Sequence, residues 1–197
     1  MRHDSTATRV RLLDAAFDEF VRVGFAGARV DRIAAAASAN KQAIYAYFGS
    51  KEALFDAVLA DRMTFLADLA PFTPQDLPGY TGALFDALTA EPGLLRLTQW
   101  KALERPEVSQ LEREAHITKA AEITHAYGAG AEAGMDVFML VVAAAQAWAT
   151  TAPEIRNPGG ADEVARLTQH RAAMTTAVEA AIGALLPSTR RDQERHP

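Results

Sequence analysis

The chain has 197 residues, 49% of them hydrophobic, which allows one sizeable core or a small domain joined to a larger one. It contains no cysteine, and that excludes disulfides, thiolate metal sites, cysteine nucleophiles and thiol redox sensing. The net charge is −5, but residues 1–51 hold eight Lys and Arg against five Asp and Glu, whereas the rest hold twelve against twenty, a mild footprint of a basic binding module on an acidic body.

The opening residues, MRHDSTATRV, lack the apolar core of a signal peptide. From Thr8 to Gly24, the residues Val10, Leu13, Ala16, Phe17, Phe20 and Val21 recur at gaps of three and four, which predicts an amphipathic helix ended by the glycine. A second helix is expected over Val30 to Ala37, and a third from the cap Asn40 to about Gly49. Ser50 then caps a long helix reaching about Ala70. Residues 71–80, PFTPQDLPGY, read as a loop. Further helices are expected over Thr81–Ala90, Pro92–Glu104, Glu107–Gly128, Met135–Thr151 and Ala161–Leu186, with a second loop at 152–160. The apolar run Val137 to Ala145 is short of the roughly 20 residues that cross a bilayer, so no membrane partner is expected and the chain reads as cytoplasmic. Residues 188–197 are polar and expected to be disordered. No segment alternates like a strand, and the fold class is all-α.

Ala34, Ser38 and Ile44 stand four and then six residues apart, the spacing of a small residue, a turn residue and an apolar anchor in a helix-turn-helix. The spacing alone leaves an ordinary helical bundle equally open. On the second helix of the pair, Ile44 and Phe48 share the inward face. Lys41, Gln42, Ala43 and Ala46 fall toward the other side, where they suit base edges: Gln42 an adenine, Lys41 a guanine or a phosphate, and the alanines a thymine methyl. Arg29, Tyr45, Tyr47 and Lys51 suit phosphate oxygens, which set register without reading sequence.

The run RLLDAAFDEFVRVGFAGARVDRIAAAASANKQAIYAYFGSKEALFDAVL resembles the N-terminal domain of the TetR family of bacterial transcriptional repressors, over roughly Thr8 to Leu59. It departs from the family pattern at Ser38, where glycine is favoured, at Asn40, where serine or threonine is favoured, and at Tyr47, where histidine is common. The resemblance implies an N-terminal three-helix DNA-binding domain at 1–52 and a larger helical effector-binding and dimerisation domain at 53–187. It implies a homodimer on a near-palindromic double-stranded operator, released by a small organic effector. From the residues alone, the apolar segment MDVFMLVVAAAQAWA and the stripe of the last helix fit an intramolecular core as well as an interface. The resemblance favours an interface, with Met139, Val142, Gln146, Leu167, Met174 and Val178 as its candidates. Phe85, Gln99, Trp100, His116, His125 and Phe138 are the candidates for effector binding, although each aromatic is also an ordinary core residue.

Enzyme chemistry finds little support. EREAH at 112–116 lacks the first histidine of a metalloprotease helix, and no glycine-rich phosphate loop or G-x-S-x-G elbow occurs. No cofactor or metal is expected. A helical adaptor that binds protein and not DNA is the alternative, but it leaves the grouping of Lys41, Gln42, Tyr45, Tyr47 and Lys51 unexplained.

Overall fold

The computed structural model describes residues 2–186, and every regular element among them is helical. In chain order the helices are α1 (Arg2–Gly27), α2 (Val30–Ala36), α3 (Lys41–Phe48), α4 (Lys51–Leu69), α5 (Leu77–Ala90), α6 (Pro92–Glu104), α7 (Gln110–Tyr127), α8 (Ala131–Thr150), α9 (Pro153–Arg156) and α10 (Glu163–Leu185). The expected disorder of 188–197 falls outside the described residues.

Several ends differ from the sequence reading for local reasons. Helix α1 starts at Arg2, and Gly24 interrupts it at φ 74°, ψ 179° before one more turn to Gly27. Helix α5 takes in Leu77 to Tyr80, which the prolines had marked as loop, because Pro78 tolerates a first helical turn and Gly79 N donates to Asp76 Oδ1 at 2.9 Å. Helix α7 begins three residues late, at Gln110 after the cap Ser109, whose side chain accepts from Glu112 N. Helix α8 begins four residues early, and the short α9 occupies part of the loop expected at 152–160.

The helices group into two compact units. The first joins residues up to 68 with Glu91–Glu107, so α6, which packs on α1, groups with α1 to α4, and the boundary expected at residue 52 lies inside this unit. Its core is built from Leu12, Leu13, Ala16, Phe20, Ile33, Ala34, Ile44, Leu54, Phe55, Val58 and Leu97. Phe20 and Phe55 meet edge to face at 4.9 Å between centroids, and Phe25 adds a second such contact to Phe55 at 5.5 Å. Each aromatic pair of this kind contributes about 1 kcal/mol beyond its buried area.

The second unit comprises 69–90 and the described chain from Val108 onward. Helix α8 packs against α5, α7 and α10, and α10 also packs on α5. Gly134 permits the close crossing of α7 and α8, since a Cβ there would come within 2.5 Å of the Ala120 carbonyl oxygen. By length and composition α8 could cross a bilayer, a reading that the nine-residue run in the sequence did not reveal. Within the unit it buries Val137, Phe138, Val141, Ala145 and Trp148 among its neighbours and leaves Met139 and Leu140 exposed.

Candidate nucleic-acid interface

Helix α3 is set by its two ends and one anchor. Helix α2 ends in a Schellman turn: Ser38 sits at φ 52°, Ser38 N donates to Ala35 O at 3.1 Å, and Ala39 N donates to Ala34 O at 2.9 Å. Serine therefore takes the left-handed position that the spacing assigned to it, at a cost of about 1 kcal/mol over glycine. Arg11 Nε donates to Ala37 O at 3.3 Å and ties the same turn to α1. Asn40 then caps α3 by accepting from Ala43 N at 2.8 Å. Ile44 is fully buried beneath the helix, as the face analysis expected.

Behind α2 lies a buried carboxylate. Glu19, 7% exposed, accepts from Arg32 Nε at 2.7 Å, from Arg29 N at 3.1 Å and from Arg22 Nη2 at 2.5 Å. Burial alone would push its carboxyl up, but the hydrogen bonds from Arg32, from the Arg29 backbone and from Arg22 outweigh it and leave the group lowered to about 2. Sequence reasoning had no signal for this group beyond a glutamate on an amphipathic helix. Its effect is to fix the start of α2 on α1.

On the outward side the structure exposes Lys41, Gln42 and Ala46, while Ala43 is half-buried. Tyr45 and Tyr47 are 46% and 37% exposed, large aromatic surface for a side chain in a folded chain. Arg29 is exposed just before α2. Ser50 caps α4 by accepting from Ala53 N at 3.1 Å, and Lys51 follows it with its ammonium 4.6 Å from the centre of the Phe25 ring. The side chain of Lys51 is thus half-buried on an aromatic, which orders the cation at a helix start where free N–H groups also favour an anion. Arg9, which the sequence reading passed over, is exposed on α1 with its guanidinium 5.5 Å from the Phe48 ring. Lys41 makes a 3.1 Å ion pair with Asp31 of α2, and that hydrogen bond and charge raise its pKa.

The break in α1 is held from α6. Phe25 N and Ala26 N both donate to Glu104 Oε2, at 2.6 and 3.0 Å, so the carboxylate caps the last turn of α1 after the interruption. The indole of Trp100 lies against Gly24 and donates from Nε1 to Val21 O at 3.3 Å. Arg105 reaches Asp56 at 2.6 Å and covers the rings of Phe25 and Phe55. Trp100 therefore clamps α1, and Gln99 is exposed on the same helix.

The remaining effector candidates lie in the second unit. Phe85 is buried, with the His170 ring 5.8 Å away. His116 and Phe138 meet ring to ring at 5.6 Å, and His125 is exposed in the last turn of α7. What gathers around Phe138 is a set the sequence did not single out: Phe72 at 6.1 Å, Tyr80 against Phe72 at 5.0 Å, and the Lys119 ammonium between Phe72 and Phe138 at 5.8 and 5.7 Å. Burial pushes the Lys119 amine down, partly offset by the charge of Glu122. Open grooves of about 390 and 430 Å³ flank α7, the first lined by Val108, His116 and Met135, the second by Phe72, Leu111 and Lys119.

Of the six interface candidates, Met139 is 55% exposed, and Val142, Gln146 and Leu167 are half-buried. Met174 and Val178 are only 6% and 3% exposed in the single chain, because their face of α10 packs into the unit's own core.

Residues 12–58 match the family described as bacterial regulatory proteins of the tetR family, and residues 76–180 match a tetracyclin repressor-like C-terminal domain. The chain is 40% identical over 172 residues to the HTH-type transcriptional repressor SCO4008 of Streptomyces coelicolor, covering 81% of this chain and 88% of the relative. It is 34% identical over 107 residues to the HTH-type transcriptional regulator RutR of Escherichia coli, covering 54% and 46%. A solved structure of the transcriptional regulator SCO4942 from Streptomyces coelicolor superposes with a TM-score of 0.75 at 38% identity, covering 88% of this chain and 97% of that one. The helix-turn-helix geometry and these matches agree: the chain belongs to the TetR family, and it is a DNA-binding transcriptional regulator, not an enzyme.

Proposed function

We propose that the chain is a repressor that binds a near-palindromic duplex operator as a homodimer and leaves it when a small organic ligand binds the second unit. The observation that supports this reading most is the surface of α3. Lys41, Gln42 and Ala46 are exposed on a helix whose buried anchor is Ile44, with Tyr45, Tyr47, Lys51 and Arg29 around them. In this reading Gln42 meets an adenine and the alanine methyls meet thymine methyls. Tyr45, Tyr47, Arg29, Lys51 and the added Arg9 hold phosphates. Repression follows the printed function of the relative SCO4008.

For the homodimer, α8 leaves Met139 and Leu140 exposed, and α10 leaves Val164 and Leu185 exposed at 71% and 54%. Apolar surface of that extent on two helices of one unit suits a partner copy. For the effector, the cluster of Phe72, Tyr80, His116 and Phe138 suits an apolar or weakly polar organic molecule.

Fluorescence anisotropy with labelled DNA from upstream of the chain's own gene tests the reading. Sequence-selective binding that weakens steeply with salt is expected. Release by a compound that also raises the melting temperature would establish the effector arm, and equal affinity for every duplex would remove the operator claim.

A further inference from the structure

Lys41 can in principle meet either a phosphate or a guanine edge, and the structure offers a way to choose. Its ammonium lies 3.1 and 3.2 Å from the two carboxylate oxygens of Asp31, across the turn between α2 and α3. Both side chains are open to water, at 48% and 71% exposure, and an exposed ion pair of this kind contributes little to folding. Asp31 also lies in the first turn of α2, where its charge suits the helix dipole, but that role does not require Lys41 beside it.

We propose that Asp31 is a positioning residue that makes Lys41 a guanine reader and not a phosphate contact; this rests on the DNA-binding reading above. A carboxylate beside the ammonium already supplies the negative charge that a phosphate would offer. It also repels the duplex backbone, so it penalises every sequence alike. A guanine presents two neutral acceptors, O6 and N7, that the paired ammonium can meet with its remaining protons while Asp31 keeps one. The pair thus forgoes some general affinity and keeps the contact that depends on sequence, which is how a repulsive element generates specificity.

Selection from a randomised duplex pool, followed by affinity measurement on the winner and on a scrambled duplex, tests this with full-length wild-type protein, Lys41→Met and Asp31→Asn. Lys41→Met is expected to erase a guanine preference at one position of each half-site while the other positions persist. Asp31→Asn is expected to tighten binding to the scrambled duplex at least threefold and to shrink that guanine preference at least threefold. Asp31→Ser should repeat the second result, and unchanged melting temperatures should accompany all three variants. A uniform loss of affinity in Lys41→Met with every base preference intact would overturn the proposal, as would an unchanged preference in Asp31→Asn. If wild-type protein itself selects nothing from the pool, it is the DNA-reading function that fails; if it selects and Asp31→Asn behaves as wild type, the role of Asp31 alone fails.

Discussion

The two units of this chain are built by different rules. In the first, backbone positions are fixed one by one: Glu19 on Arg29 N, Glu104 on Phe25 N and Ala26 N, Asn40 on Ala43 N, and Arg11 on Ala37 O. In the second, apolar helices pack around α8, and side chains hold the helix ends through bonds only three or four residues long, Asp76 on Gly79 N, Ser109 on Glu112 N and Asp162 on Ala165 N. The Nε2 atom of His170 is buried there with no hydrogen-bond partner, between the rings of Phe85 and Trp148. The contrast teaches that a surface which must meet a fixed lattice of base edges needs a specified backbone.

That comparison can be broken or sharpened by experiment, beginning with the largest effect. Phe20→Ala removes a fully buried ring from the first unit and should cost about 4 kcal/mol in chemical denaturation, abolishing DNA binding at physiological temperature. Gly134→Ala should cost the second unit roughly 2 kcal/mol, because the added methyl meets the α7 backbone. Retained DNA binding by Phe20→Ala would contradict the packing described for the reading unit.

Acid should act on the two units in different windows. The folded His170 imidazole is held below its ordinary value of 6.5 by burial and by the Arg166 charge. Stability from its neutral state is therefore complete above about 6.5 and is lost as pH falls from there toward the folded pKa. Glu19 has a folded pKa of about 2 against an ordinary 4.5, so its contribution, of the order of 3 kcal/mol, is complete above about 4.5 and lost as pH falls through 2. Hydrogen exchange between pH 7 and 5 should show second-unit amides losing protection first, and His170→Phe should remove that step. Equal loss of protection in both units, unaffected by His170→Phe, would end the distinction.

Smaller effects lie on the surface. Lys51→Ala and Tyr45→Phe should each weaken binding to all duplexes by about 1 kcal/mol, read by anisotropy on operator and scrambled DNA. Ser38→Gly should raise stability by up to about 1 kcal/mol, since glycine adopts the φ of 52° without strain.

How much of this was legible in the sequence follows the same divide. Ile44 as anchor, Asn40 and Ser50 as caps and Ser38 as the left-handed residue could be read because each is a local event spanning a few residues. Glu19, Glu104 and Trp100 could not, since their partners lie 10 to 79 residues away and nothing in a glutamate or tryptophan names a distant amide. Trp100 stood among the effector candidates, and its hold on α1 was not legible because aromatics serve cores and pockets alike. Met174 and Val178, buried within the single chain, share that ambiguity: an apolar stripe says that it must be covered, and only packing says by what.

The account centres on α3 as a base-reading helix, and selection from a randomised duplex pool by wild-type and Gln42→Ala protein tests this most directly. Wild-type protein should enrich a two-fold symmetric site, and Gln42→Ala should flatten the preference at one adenine position of each half-site by about 1–3 kcal/mol while leaving the rest. A pool that emerges from wild-type protein without enrichment, or a Gln42→Ala profile identical to wild type, would contradict it.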